Sequence, residues 1–382
     1  MNNYSTINTN QLINILPNLY KIQLTNNIPI PAQMLWGAPG IGKSDCVKQI
    51  AAKTGELTGK TAVVTVASLL MMSPVDLRGI PTKAEDSGEL VARWLKPQIF
   101  QMSASDDVIN FLFLDEISAA PPAVQAAAYQ IVLDRRVGEH EFPSNCIVIA
   151  AGNRVTDRAV AYKMPKPLSN RFTHYEVVVD SEAWIDWALT HDISQEIVGY
   201  IRFNPDHLNN FDPASDDVAF ATPRSWALAN QYLIAGREFA KAKNMNIVDA
   251  MFPQIAGTIG SAKALDFKAY VDTYAKLPKW EDIKSGKVKK VEIEGNELAT
   301  LYALSSMLTV NTLKALENVN NIKDVDAFLT TIGAYVNTMP RKDLTVMVMR
   351  DVLRSCDAKA RLSIVKNKEF SSVIRDIVDL IV

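Results

Sequence analysis

Cysteine is scarce in this chain: Cys46, Cys146 and Cys356 are the only three in 382 residues, and they stand far apart. An odd, scattered set excludes a disulfide-built secreted scaffold and fits reduced thiols in a cytosol. Histidine is nearly as rare, and His140, His174, His191 and His207 show no metal-ligand spacing, so no imidazole-based metal centre is expected. No apolar run approaches the ~18 residues needed to span a bilayer. The opening Met1-Asn2-Asn3-Tyr4 lacks the basic-then-apolar order of a signal peptide. These absences predict a soluble, cytoplasmic chain with no membrane partner. An excess of either charge is also missing. Lys and Arg number 40 against 42 Asp and Glu, a net charge of −2, so no global charge marks a nucleic-acid coat. Local basic patches are still compatible with that balance.

What is present is ordinary globular material, 48% apolar and 21% charged, with length for two to three domains at ~150 residues each. The Asn/Thr-rich lead, residues 2–10, reads as a frayed end, and 11–24 carries Leu12, Ile15, Leu16, Leu19 and Leu24 at near-helical spacing. From Pro31 to about Asp180 apolar runs alternate with helical stretches, the pattern of an α/β unit. Five strands are expected, at 33–36, 61–67, 110–114, 146–151 and 174–179. Beyond Ser181 amphipathic helices dominate, clearest at 182–189, 224–242, 296–308, 325–336 and 370–381. The lysine- and glutamate-rich stretch from Trp280 to Gly295 reads as an exposed hairpin or a linker.

The stretch Gly37-Ala38-Pro39-Gly40-Ile41-Gly42-Lys43-Ser44 is a complete phosphate-binding P-loop. Its glycines let the backbone form a concave loop with N–H groups aimed at phosphate oxygens. Lys43 has the reach for the β and γ phosphates, and the Ser44 hydroxyl suits a Mg²⁺ shell. A helix from Lys43 would add its positive dipole end beneath the phosphates. A chain of this length shows the pattern by chance roughly once in a hundred.

Phe111-Leu112-Phe113-Leu114-Asp115-Glu116 reads as a buried strand with two carboxylates at its C-terminal tip, where open α/β sheets place ligands. Asp115 suits the Mg²⁺ shell and Glu116 suits a general base orienting water. A second buried strand, Ile147 to Ala151, ends in Gly152-Asn153. Asn153 there is either a γ-phosphate or water contact or an ordinary turn residue. Arg171, in Leu168-Ser169-Asn170-Arg171-Phe172, is placed as a transition-state finger or a surface ion pair. Ala221-Thr222-Pro223-Arg224-Ser225-Trp226 opens a helix with Thr222 as N-cap. Arg224 would then sit in the first turn against the dipole, which favours a phosphate contact.

In this order the five elements resemble the AAA+ ATPases: Walker A, Walker B with its catalytic glutamate, sensor 1, arginine finger and sensor 2. The resemblance covers roughly residues 10–231 and implies ATP and Mg²⁺ as ligands, with Glu116, Asn153, Arg171 and Arg224 in catalytic roles. It implies a P-loop core with a five-stranded parallel sheet at 1–180, an all-α lid at 181–245 and further helices at 246–382. Two insertions narrow it. Asp76-Leu77-Arg78-Gly79-Ile80-Pro81, within about 69–97 and before the following helix, looks like the helix-2 insert of the MoxR group. Residues 135–143 look like the pre-sensor-1 hairpin with Gly138 at its tip, or else a plain connection.

That resemblance implies a homo-oligomeric ring, a hexamer by family expectation, whose insertions line an axial channel. It implies remodelling of a protein client, with a von Willebrand factor A-type domain protein as the partner suggested by analogy. No aromatic-hydrophobic-glycine pore loop follows the second strand, which counts against polypeptide threading. The alternatives are a nucleic-acid motor or loader, kept open by Lys83, Arg93, Lys96, Arg135 and Arg136, and a nucleotide-controlled switch in a phage-related or defence assembly.

Overall fold

A computed structural model describes residues 5–157, 162, 164–317, 322 and 324–370. The chain divides into two compact units, Met1–Asp180 with Phe211–Asp216, and Ser181–Asn210 with Asp217–Val382. Among the described residues no helix is long and apolar enough to cross a membrane.

The first unit is built on a parallel sheet. In chain order the strands among its described residues are β1 (Ser5–Asn8), β2 (Ala32–Trp36), β3 (Thr61–Ser68), β4 (Ile80–Asp86), β5 (Glu89–Leu95), β6 (Val108–Asp115), β7 (Arg136–Val137), β8 (His140–Glu141), β9 (Cys146–Gly152) and β10 (Phe172–Val178). Six of them form the main sheet in the order β1-β10-β2-β9-β6-β3, every neighbouring pair parallel. The expected five strands are therefore six. Residues 5–8 are not frayed but pair with β10 as an edge strand, because Asn8 then caps the next helix and donates to Asp180.

The core strands read as unbroken apolar runs because both faces are covered. Phe111 and Phe113 face helices α1 (Thr9–Thr25) and α2 (Lys43–Thr58) with Leu16, Tyr20, Val47 and Ile50. Leu112 and Leu114 face the opposite side, toward Val124, Ala128 and Ile131, after α3 (Pro74–Arg78), on helix α4 (Pro122–Asp134). Each fully buried large side chain contributes about 1.5–3 kcal/mol. The last short helix of the unit is α5 (Lys166–Ser169).

Two hairpins interrupt this plan. Ser73 and Asp76 form a capping box that starts α3. Gly79 stops it at φ 90°, where a Cβ would lie 1.9 Å from the Leu95 carbonyl oxygen, so no other residue fits. The hairpin β4–β5 follows, turning through Ser87 and Gly88, both at positive φ, as a two-residue type I′ loop demands. The insert expected at about 69–97 holds both α3 and this hairpin, and in place of a following α-helix a three-residue 3-10 turn, Gln98–Phe100, leads on to β6. The second hairpin, β7–β8, turns at Gly138 with φ 56°. The two hairpins meet: the His140 ring Nε2 lies 2.7 Å from the Trp94 carbonyl oxygen.

The second unit is helical, beginning with α6 (Ser181–Leu189), α7 (Gln195–Phe203) and α8 (Pro223–Lys243). Helix Leu298–Leu316 is buried nearly all round. Tyr200 packs against Trp226, Phe267 and Tyr270 with ring centroids 5.2–5.5 Å apart. The stretch from Trp280 is neither hairpin nor extended linker: it forms helix Trp280–Lys284 and then an irregular path whose Val291 is buried. The helix expected at 370–381 lies outside the described residues except for Phe370.

Candidate nucleotide site

The sheet order sets the site. Strand β2 lies between β9 and β10, so the chain crosses over on either side and leaves a crevice at the strand ends. The P-loop, Gly37 to Ser44, fills that crevice. Gly40 and Gly42 sit at φ 76° and 92°, a conformation that costs other residues roughly 1–2 kcal/mol. Gly42 is the N-cap of α2 and supplies no side-chain cap, which leaves the first N–H groups of that helix for an anion. Gly37 leaves no room for a side chain, since a Cβ would meet Ile41 and the Val177 carbonyl oxygen at 2.5 and 2.8 Å.

Lys43 Nζ donates to the Gly37 and Ala38 carbonyls at 2.7 and 2.8 Å and to Asn153 Oδ1 at 3.1 Å. Ser44 Oγ donates to Asp115 Oδ2 at 2.9 Å. Residues distant in sequence are thus brought together at the tips of β2, β6 and β9. The donor set at Ser44 and Asp115 is all oxygen, which fits Mg²⁺. The open helix end and Lys43 fit a polyphosphate.

Glu116 follows at φ 58°, an uncommon backbone for a non-glycine residue. Three contacts hold it there: its own N–H donates to Asp115 Oδ1 at 2.9 Å, the Ala119 N–H donates to its carbonyl at 3.0 Å, and Ile117 N–H donates to Ala151 O. Its carboxylate accepts from Ser68 Oγ at 3.0 Å. Ser68 was missed in the sequence, although it ends β3 and is aligned with Asp115, so a polar residue closing an apolar strand was the available signal. Arg154 was missed as well. Beside Asn153, it is clamped by Asp157 at 2.8 Å and by Glu176 at 2.5 Å, and those contacts raise its already high pKa, the Asp157 hydrogen bond foremost.

Cys46 tests which local effect dominates. The first turn of a helix ordinarily lowers a thiol pKa. Here burial, with Asp45 adding to it, pushes the Cys46 thiol up to about 12.

Arg171 is elsewhere. It is exposed and precedes Phe172, which pairs with Ala32, whereas the P-loop begins beyond Trp36 at the other end of the same two strands. Six residues at ~3.3 Å each put those ends about 20 Å apart, beyond the reach of an arginine side chain. Among the described residues its guanidinium has no partner. Arg224 belongs to the helical unit. Thr222 and Ser225 form a capping box, Pro223 starts α8, and Arg224 stands exposed in the first turn.

Residues 33–178 match the model of the ATPase family associated with various cellular activities (AAA). The matched stretch runs from β2 to the end of β10. Among solved structures the chain is similar to the Thermotoga maritima RuvB Holliday junction branch migration motor, with 15% identity, 77% of this chain and 81% of that chain covered, and a TM-score of 0.38. It is also similar to the Aeropyrum pernix ORC2 protein in ADPNP–ADP complexes (13% identity, 84% and 88% covered, TM-score 0.38). A third is NtrX from Brucella abortus in complex with ATP (12% identity, 80% and 65% covered, TM-score 0.35). No curated protein matches.

Proposed function

We propose that this chain is an AAA+ ATPase that works as a ring and uses ATP binding and hydrolysis to remodel or activate a protein partner. The observation that carries the ATPase reading is the paired contact of Lys43 with Asn153 and Ser44 with Asp115, which gathers four motif residues at one P-loop. In this reading the Gly37–Ser44 backbone and Lys43 bind the phosphates, and Ser44 and Asp115 hold Mg²⁺, which would neutralise phosphate charge when bound. Glu116 orients and deprotonates the attacking water, and Asn153 contacts the γ-phosphate.

The ring follows from Arg171. An arginine that does not reach its own P-loop can act as a finger only on another copy's nucleotide. Head-to-tail contacts of that kind close into rings when the rotation permits, and a hexamer is the family expectation. Arg224 is assigned to phosphate sensing, in its own or a neighbouring subunit. The MoxR-like assignment is supported by the β4–β5 and β7–β8 hairpins at the positions of the two insertions, and by their mutual contact through His140 and Trp94. Joined in this way, the hairpins would move together when nucleotide is exchanged. A protein client is favoured over nucleic acid by the net charge of −2, which gives no excess of cations to neutralise phosphates.

The test is capture with Glu116→Gln in ATP, with and without nuclease. A protein client retained after nuclease supports remodelling. Recovery of nucleic acid that disappears with nuclease would replace it with a motor or loader, and self-association alone would replace it with a nucleotide-controlled switch.

A further inference from the structure

One face of the β2–β10 pair carries a directional polar chain that the ATPase assignments leave unused. Trp36 is the last residue of β2, immediately before the P-loop, and is 9% exposed. Its indole Nε1 donates to His174 Nδ1 at 2.8 Å, and the two rings stack with centroids 6.1 Å apart. The other ring nitrogen, His174 Nε2, lies 2.7 Å from the Ser169 carbonyl oxygen. With the indole N–H directed at Nδ1, the Nε2 side of the ring faces the Ser169 carbonyl oxygen as a donor would. Ser169 ends α5 two residues before Arg171, whose N–H donates to Leu168 O at 3.1 Å. On the same strand, Glu176 is aligned with Trp36 and is held by Arg154, the neighbour of Asn153. A cavity of about 270 Å³ opens beside these groups, lined by Trp36, Asn153, Arg154, Lys166 and Ser169 among others.

From this geometry we infer that Trp36 and His174 are positioning residues that tie the P-loop strand to the turn carrying Arg171. Through them, the state of one subunit's P-loop sets where that subunit's finger stands toward its neighbour. An apolar pair would fill the same space without direction. The indole–imidazole–carbonyl chain has a defined length and orientation, so a shift at the end of β2 is passed to Ser169 rather than absorbed. Neither residue touches the reacting atoms.

The inference rests on the ATPase reading and is tested by steady-state ATP hydrolysis and ATP affinity in the full chain. The variants are Trp36→Phe, His174→Phe, His174→Gln, Arg171→Ala and the doubles of each ring variant with Arg171→Ala. The phenylalanine variants keep an aromatic ring and remove the polar link. They are expected to bind ATP within about twofold of wild type and to lose about ten- to a hundredfold in kcat, the cost of misplacing a group by about an ångström. His174→Gln keeps an acceptor and a donor and should recover most of that loss. The doubles should fall no lower than Arg171→Ala alone. Wild-type kcat in both phenylalanine variants beside an impaired Arg171→Ala, or doubles whose losses multiply, would overturn the relay alone. A wild-type chain without ATP turnover, or an Arg171→Ala chain with full turnover, would overturn the ATPase or finger reading, and the relay with it.

Discussion

The two units use polar residues in opposite ways. In the α/β unit, Lys43, Ser44, Ser68, Asp115, Glu116 and Asn153 are half-buried at strand and loop ends, each satisfied by a neighbour that a phosphate, a metal ion or water could displace. In the helical unit a charged pair is sealed in. Arg202 and Asp351 form an ion pair with both side chains 1% exposed, extended by Arg350 to Asp351 and to Glu182. Tyr274 Oη donates to the Gln195 carbonyl at 2.9 Å and lies 3.0 Å from the buried Ser306 hydroxyl. Burying charge without a partner costs several kcal/mol, so the second arrangement fixes how helices pack. The first costs little to rearrange. A polar group at a strand tip is equipped for exchange, and one inside a helical core is equipped for register.

The sharpest way to break this comparison is Lys43→Ala, which should abolish ATP binding, by about a hundredfold or more, with little change in thermal stability. Equilibrium binding of a fluorescent ATP analogue checks it, and wild-type affinity would remove the P-loop assignment. Glu116→Gln should still bind ATP and turn it over about 10²- to 10⁴-fold more slowly, measured as phosphate release. Normal turnover would move the base elsewhere. Asp351→Ala should show the reverse profile, a loss of about 3 kcal/mol in chemical denaturation, because Arg202 is left buried without its carboxylate. Ser68→Ala frees one Glu116 oxygen at a cost of about 1 kcal/mol of hydrogen bonding. It should raise basal turnover a few-fold at unchanged ATP affinity, and a fall in turnover would make Ser68 a support of the base rather than a restraint. Smallest of all, Cys46, with a pKa near 12, should resist iodoacetamide at pH 8 in the folded chain. Rapid alkylation would show that the helix end outweighs burial.

The same contrast explains what could be read from the sequence. The P-loop and the residues proposed for Walker B and sensor 1 announce themselves because each sits next to an apolar run in sequence, and a parallel sheet brings such runs to a common edge. The edge strand at Ser5–Asn8 was obscured by its Asn- and Thr-rich composition, since its pairing partner lies about 170 residues away. Gly79 hid the order of helix and hairpin: its positive φ answers to the approach of Leu95, a contact no local pattern encodes. The helical unit was legible as helices and opaque as a packing scheme. Arg202 and Asp351 stand 149 residues apart, and nothing in the neighbourhood of either marks it as the other's partner. Arg171 fell between these cases, visible as a candidate, with its distance from its own P-loop evident only once β10 was placed beside β2.

That distance is the centre of the account, and mixing subunits tests it most directly. Lys43→Ala and Arg171→Ala chains should each be inactive alone as ATPases. Combined before assembly, they should regain a measurable fraction of wild-type hydrolysis, because an intact P-loop in one copy can meet an intact arginine from the other. Mixtures that stay as inactive as the separate variants would contradict a site completed by a neighbouring subunit.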